Sequence, residues 1–90
     1  MPRELPRPFA MPWGSGAVVE EVSCVSEWHE PVIQLLRYDD GSEAVRFCSY
    51  NLRGGFLRSP LIISAKDIPT LRNALAVSPG LQALLKSLLS

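Results

Sequence analysis

Residues 17–28, AVVEEVSCVSEW, alternate in a way that predicts a half-buried strand. Val18, Glu20, Val22, Cys24, Ser26 and Trp28 fall on one side at period two, with Val19, Glu21, Ser23, Val25 and Glu27 on the other. WHEP ends that run, and VIQLLRY begins a second one. The turn DDGS that follows decides a register. A two-residue loop would set Ile33 against Cys48, Leu35 against Arg46 and Gln34 against Phe47, mixing polar and apolar partners on both faces. A three-residue loop, residues 39–41 with Gly41 left-handed, pairs Arg37 with Glu43, Leu35 with Val45 and Ile33 with Phe47. One face is then Ile33, Leu35, Val45 and Phe47, closed by a cross-strand ion pair. The other carries Gln34, Leu36, Tyr38, Ala44, Arg46, Cys48 and Tyr50. A one-residue slip would exchange faces on one strand, so the apolar pattern selects the three-residue loop. On this reading the apolar face points inward and the arginines and tyrosines point outward.

NLRGG is a second turn, and FLRSPLIIS predicts a fourth strand with Pro60 at its start or on an edge. Asp67 stands as a helix N-cap, Pro69 in the first turn, and Ile68, Leu71, Ala74 and Leu75 follow at helical spacing. Residues 78–80, SPG, break this helix, with Ser78 capping its continuation. Leu81, Leu84, Leu85, Leu88 and Leu89 then form an i, i+3, i+4, i+7, i+8 stripe. Pro2, Pro6, Pro8 and Pro12 crowd the first twelve residues, so residues 1–16 read as an extended proline-rich arm. The predicted architecture is α+β: one ββββα domain over residues 17–90, a four-stranded antiparallel sheet followed by a C-terminal helix broken at residues 78–80.

Ninety residues bury only about 60–65% of the surface of the unfolded chain, so the core is thin. Five leucines on a short final helix exceed what such a core covers, which predicts a homodimer using Leu81, Leu84, Leu85 and Leu88. With no apolar run of membrane-spanning length and no secretory h-region, a soluble, cytoplasmic protein is expected. Cys24 and Cys48 are then expected to be reduced, buried thiols. Two cysteines and one histidine do not make a structural zinc site. No cofactor is implied.

Net charge is zero, but it is segregated. Through Val45, three basic residues face eight acids; from Arg46 onward, six face Asp67 alone. A neutral sum therefore conceals a basic half, and a polyanion senses the local field. Catalysis is poorly supplied. His29, between Glu27 and Glu30, is the one acid/base candidate, but a lone histidine at a strand end reads as surface, and no nucleophile motif accompanies either cysteine. The glycines of RGG, residues 53–55, serve a tight turn. Tyr38, Tyr50 and Phe56 offer ring faces for bases while Arg46, Arg53, Arg58 and Lys66 offer charge for phosphates, the two elements that single-strand binders combine. The competing reading makes both tyrosines amphipathic covers over the chain's own helix.

Strands of this kind followed by a helix, in VIQLLRYDDGSEAVRFCSYN and FLRSPLIISAKDIPTLRNAL, resemble the positive-cofactor-four type of transcriptional coactivator and its bacterial relatives. The likeness rests on Phe47 and Tyr50 near a strand end, Arg53 and Arg58 around the turn, residues 61–63 as a short strand, Ser64 or Asp67 as cap, and Leu71 and Leu75 on the helix. It implies a curved sheet, a dimer and single-stranded DNA as ligand. The sequence departs from the family in its few lysines at the turn, in Asn51 and in the break at residues 78–80. The expected function is non-catalytic binding of single-stranded nucleic acid as a transcription or DNA-maintenance accessory factor. The alternative is a protein-interaction module that binds no nucleic acid.

Overall fold

The computed structural model describes residues 3–57 and 60–90. Five strands form one antiparallel sheet in chain order: β1 (Arg7–Met11), β2 (Gly14–Ser23), β3 (Glu30–Tyr38), β4 (Glu43–Tyr50) and β5 (Leu61–Ser64). A 3-10 turn, Ala65–Asp67, leads into α1 (Ile68–Leu75) and α2 (Pro79–Leu89). No helix of the described residues is long and apolar enough to cross a membrane.

The β3–β4 hairpin has the expected register. Ile33 pairs with Phe47, Leu35 with Val45 and Arg37 with Glu43, and the Arg37–Glu43 ion pair closes at 2.8 Å. Gly41 takes φ +89°, a conformation that costs glycine nothing, and donates its N–H to the Tyr38 carbonyl. The helix break also falls where SPG placed it, between Leu75 and Pro79. Asp67 and Ser78 occupy the cap positions, although neither side chain bonds to its helix.

Three expectations are corrected. The sheet has five strands, because residues 7–11 of the proline-rich arm pair with β2, Phe9 opposite Gly16. Pro8 is tolerated there because β1 is an edge strand. β2 begins at Gly14 and stops at Ser23, not Trp28, because Ser26 and His29 close a turn: the Ser26 N–H reaches the His29 carbonyl at 2.8 Å. Its period-two phase breaks at a bulge between Val18 and Glu20, so Val18 and Glu21 share one face with Leu36 and Gln34.

The third correction concerns which face is inside. The face bearing Val18, Val32, Gln34, Leu36, Ala44, Arg46 and Tyr50 is the buried one. Ile33, Leu35, Val45 and Phe47, on the outer face, are only half-buried. The cause is β1. Phe9, Val18 and Leu36 form the hydrophobic cluster, with Met11, Tyr38 and Ile62 packed on it, and Arg7 on β1 reaches the Tyr50 hydroxyl on β4. Contacts across three strand spacings require the sheet to coil around its inner face. Gly16 permits this, since a Cβ there would meet the Arg37 carbonyl oxygen at 2.1 Å.

Candidate functional site

Polar groups converge on the inner face. Gln34, at the centre of β3, donates through Nε2 to Glu21 Oε1 at 2.7 Å and to the Tyr50 hydroxyl at 3.4 Å. Its Oε1 accepts from Arg46 Nε at 2.6 Å and from Cys48 Sγ at 3.4 Å. Arg7 holds Glu21 with both terminal nitrogens, at 2.6 and 3.3 Å, and donates to the Tyr50 hydroxyl at 3.2 Å. Arg3 grips Glu30 in the same two-pronged way, at 3.0 and 3.2 Å, and its guanidinium lies 3.6 Å from the centre of the Tyr50 ring. No buried side-chain nitrogen or oxygen among the described residues lacks a hydrogen-bond partner. A polar interior is tolerable under that condition, because an orphaned buried group costs about 1–3 kcal/mol.

The electrostatics follow from these contacts. Burial pushes the Glu21 carboxyl up, but hydrogen bonds from Arg7 and Gln34 outweigh it and leave it below the usual carboxylate range. Arg3, with a smaller contribution from Ser23, pulls Glu30 down to about 2. Hydrogen bonds to their carboxylates hold Arg3 and Arg7 above the ordinary arginine value. Burial pushes the Cys48 thiol up, against the nearby Arg46 charge, so it is a protonated donor rather than a nucleophile.

The residues expected to bind nucleic acid divide into separate groups. Arg46 is 5% exposed and lies between two rings, 5.0 Å from the centre of Phe56 and 5.6 Å from that of Phe9. Tyr50 is 8% exposed and meets Phe56 edge-on at 5.4 Å. Arg46, Tyr50 and Phe56 therefore come together, but on the inner face, where Arg46 and Tyr50 are engaged and withdrawn from solvent. Only Phe56 keeps an exposed flank. Tyr38 packs edge-on against Phe9, 5.3 Å away. Arg53 sits exposed in the turn of residues 51–55, whose shape is set by Asn51 Oδ1 accepting the N–H groups of Arg53 and Gly55. Lys66 is exposed in the 3-10 turn. Arg58 lies outside the described residues.

Sequence reasoning missed Arg3, Arg7, Glu21, Glu30 and Gln34. One signal was present: the selected register sets Gln34 opposite Arg46 on one face. A glutamine across from an arginine on a strand otherwise rich in apolar residues marks a buried polar pair. One other expectation fails. Cys24 is exposed and Cys48 half-buried, so neither is a core thiol. His29 Nδ1 meets Ser26 Oγ at 3.2 Å within the turn. No group of three or more His, Cys, Asp or Glu among the described residues is placed to hold a metal ion.

The outer face is a second candidate. An apolar groove of about 720 Å³ crosses β2, β3 and β4, floored by Val22, Ile33 and Phe47 and walled by Leu57, Leu61 and Leu88. No residue of α1 or α2 is fully buried. Leu81, Leu84 and Leu88 are 54–72% exposed and Leu85 is half-buried, so the leucine stripe is not covered by the chain's own sheet. No family model, curated protein or solved structure matches the chain.

Proposed function

We propose that this chain is a non-catalytic interaction module that pairs with a second copy of itself through the outer sheet face and the leucines of α2. The observation that carries this reading is unspent surface, with large apolar side chains such as Leu61, Leu84 and Leu88 exposed on it. The chain exposes 6783 Å², whereas a self-contained 9.9 kDa fold exposes about 5,200 Å². The excess is roughly twice the ~800 Å² that each partner buries in a standard interface. Its radius of gyration, 14.2 Å, likewise exceeds the ~12 Å expected for this length.

Charge supports a second copy as the occupant. Glu20 is exposed on the outer face opposite Leu35, whereas the helices carry Arg72 and Lys86. A patch that carries both signs can be complementary to itself in a two-fold pair. Light scattering after size-exclusion chromatography tests this. Wild type is expected at twice 9.9 kDa and Leu84→Glu with Leu88→Glu at the single-chain mass; a wild-type monomer at tens of micromolar would refute self-association.

A reading as a binder of single-stranded nucleic acid rests on Arg53, Lys66 and Phe56, which remain exposed, Arg53 and Phe56 in the connection after β4 and Lys66 in the 3-10 turn after β5. Salt-sensitive binding of oligothymidylate by wild type, lost in Arg53→Glu with Lys66→Glu, would favour it.

A further inference from the structure

We propose that Glu30 and the Tyr50 ring form a receptor for an arginine side chain, occupied in cis by Arg3 and open to an arginine-bearing peptide when Arg3 lets go. The site is on the inner face, so it does not depend on the self-association reading.

Its chemistry matches a guanidinium at two independent points. A carboxylate meets both terminal nitrogens of Arg3, and an aromatic ring lies 3.6 Å beneath the plane-forming carbon. This combination selects the flat, forked arginine head over the point charge of lysine. The ring is held ready by other contacts, because the Tyr50 hydroxyl accepts from Arg7 and Gln34. Glu21, which anchors Arg7, is itself tied to Gln34. Removing Arg3 would therefore leave the receptor standing.

The present occupant is weakly tethered. Arg7 belongs to β1 and is fixed by its ladder to β2. Residues 3–6 precede that strand and make no backbone–backbone hydrogen bond among the described residues; the Glu4 carbonyl accepts a long 3.5 Å bond from Arg7 Nη1, and Arg3 itself is held through its side chain. The pair is not sealed: the Arg3 and Glu30 side chains keep 21% and 13% of their exposure. A cavity of about 310 Å³ adjoins both residues; Ser23, Cys24 and Val25 bound its fixed side, while its Leu5 wall leaves with residues 3–6 and opens room for the flanks of an incoming peptide. Detaching residues 3–6 breaks no sheet hydrogen bond, so the exchange leaves the fold intact.

The test uses the full chain and N-acetyl-arginine amide as probe, following the Tyr50 ring protons by NMR. Arg3→Ala is expected to bind it saturably with a dissociation constant on the order of millimolar. Wild type is expected to bind about tenfold more weakly or worse, because Arg3 leaves only a fraction of sites open. N-acetyl-lysine amide should bind Arg3→Ala far more weakly, and Arg3→Ala with Glu30→Gln should bind neither. Absence of a saturable shift in a folded Arg3→Ala variant, equal binding of the two amides, or equal binding by wild type and Arg3→Ala would each overturn the proposal. Should Arg3→Ala lose its dispersed spectrum, Arg3→Lys keeps a cation at Glu30. It is expected to bind the arginine amide more tightly than wild type, and equal affinity would again overturn the proposal.

Discussion

On the inner face of the sheet Gln34, Arg46 and Tyr50 are polar and closed off from solvent, while on the outer face Ile33, Leu35, Val45 and Phe47 are apolar and half-open. The usual inside-out rule would assign them the other way round. The difference shows that burial is decided by what covers a face and by whether its polar groups find partners. β1, Arg3 and Arg7 cover the inner face, and among the described residues every buried polar side chain there is bonded. The helices do not close over the outer face. Leaving that much apolar surface open is unusual for a self-sufficient monomer, and it is accounted for if the cover is another molecule.

The contrast can be broken by substitution. Leu36 is fully buried on the inner face, so Leu36→Ala is expected to cost about 3 kcal/mol of unfolding free energy in urea; a loss under 1 kcal/mol would mean the inner face is not the core. Gln34→Leu strips the acceptor from the Arg46 guanidinium and the donor from Glu21, at a cost of about 2–3 kcal/mol. Arg46→Met together with Gln34→Leu should recover much of that, since a buried charge and its partner replaced by apolar groups are often neutral. On the outer face, Phe47→Ala should act chiefly on association, weakening the pair about thirtyfold, or 2 kcal/mol. Sedimentation equilibrium measures this, and an unchanged dissociation constant would remove Phe47 from the interface.

The smallest expected effect concerns pH. The Glu30 carboxyl is held down at about 2 against an ordinary 4.5. A depressed carboxylate contributes stability that is complete above its unfolded value and is lost as pH falls through the folded one. The hold on Arg3 should therefore be intact at pH 6 and weaken between about 4.5 and 2. The Tyr50 ring shifts should move over that window in wild type, and Glu30→Gln should remove the part of the movement that comes from Arg3. Glu21, also held below the usual range by Arg7 and Gln34, protonates on the same acid side and reaches the Tyr50 hydroxyl through Arg7, so the movement that remains in Glu30→Gln reports Glu21.

The β3–β4 hairpin was legible because three signals coincided: a glycine placed for a left-handed turn, opposite charges at Arg37 and Glu43, and apolar partners in one register. The helix break was legible from proline chemistry. Which face is inside was not, because both faces of β3 carry apolar residues and the choice rests on a distant strand. That strand was hidden by Pro6, Pro8 and Pro12, which weaken strand propensity without forbidding an edge. The bulge at Val18 and Glu20 has no local signature and alone misassigned half of β2. Of the candidate site, Arg46 and Tyr50 were legible as neighbours on one face but the orientation of that face was not, since an arginine and a tyrosine read as surface until Gln34, Phe9 and Arg7 are brought over them.

The pairing of copies across the outer face is tested most directly by isotope-filtered NMR on a mixture of labelled and unlabelled chains. Contacts between the methyl groups of Leu84 or Leu88 and protons of the unlabelled copy are predicted. A mixture in which every contact of those methyls lies within one chain would contradict the account.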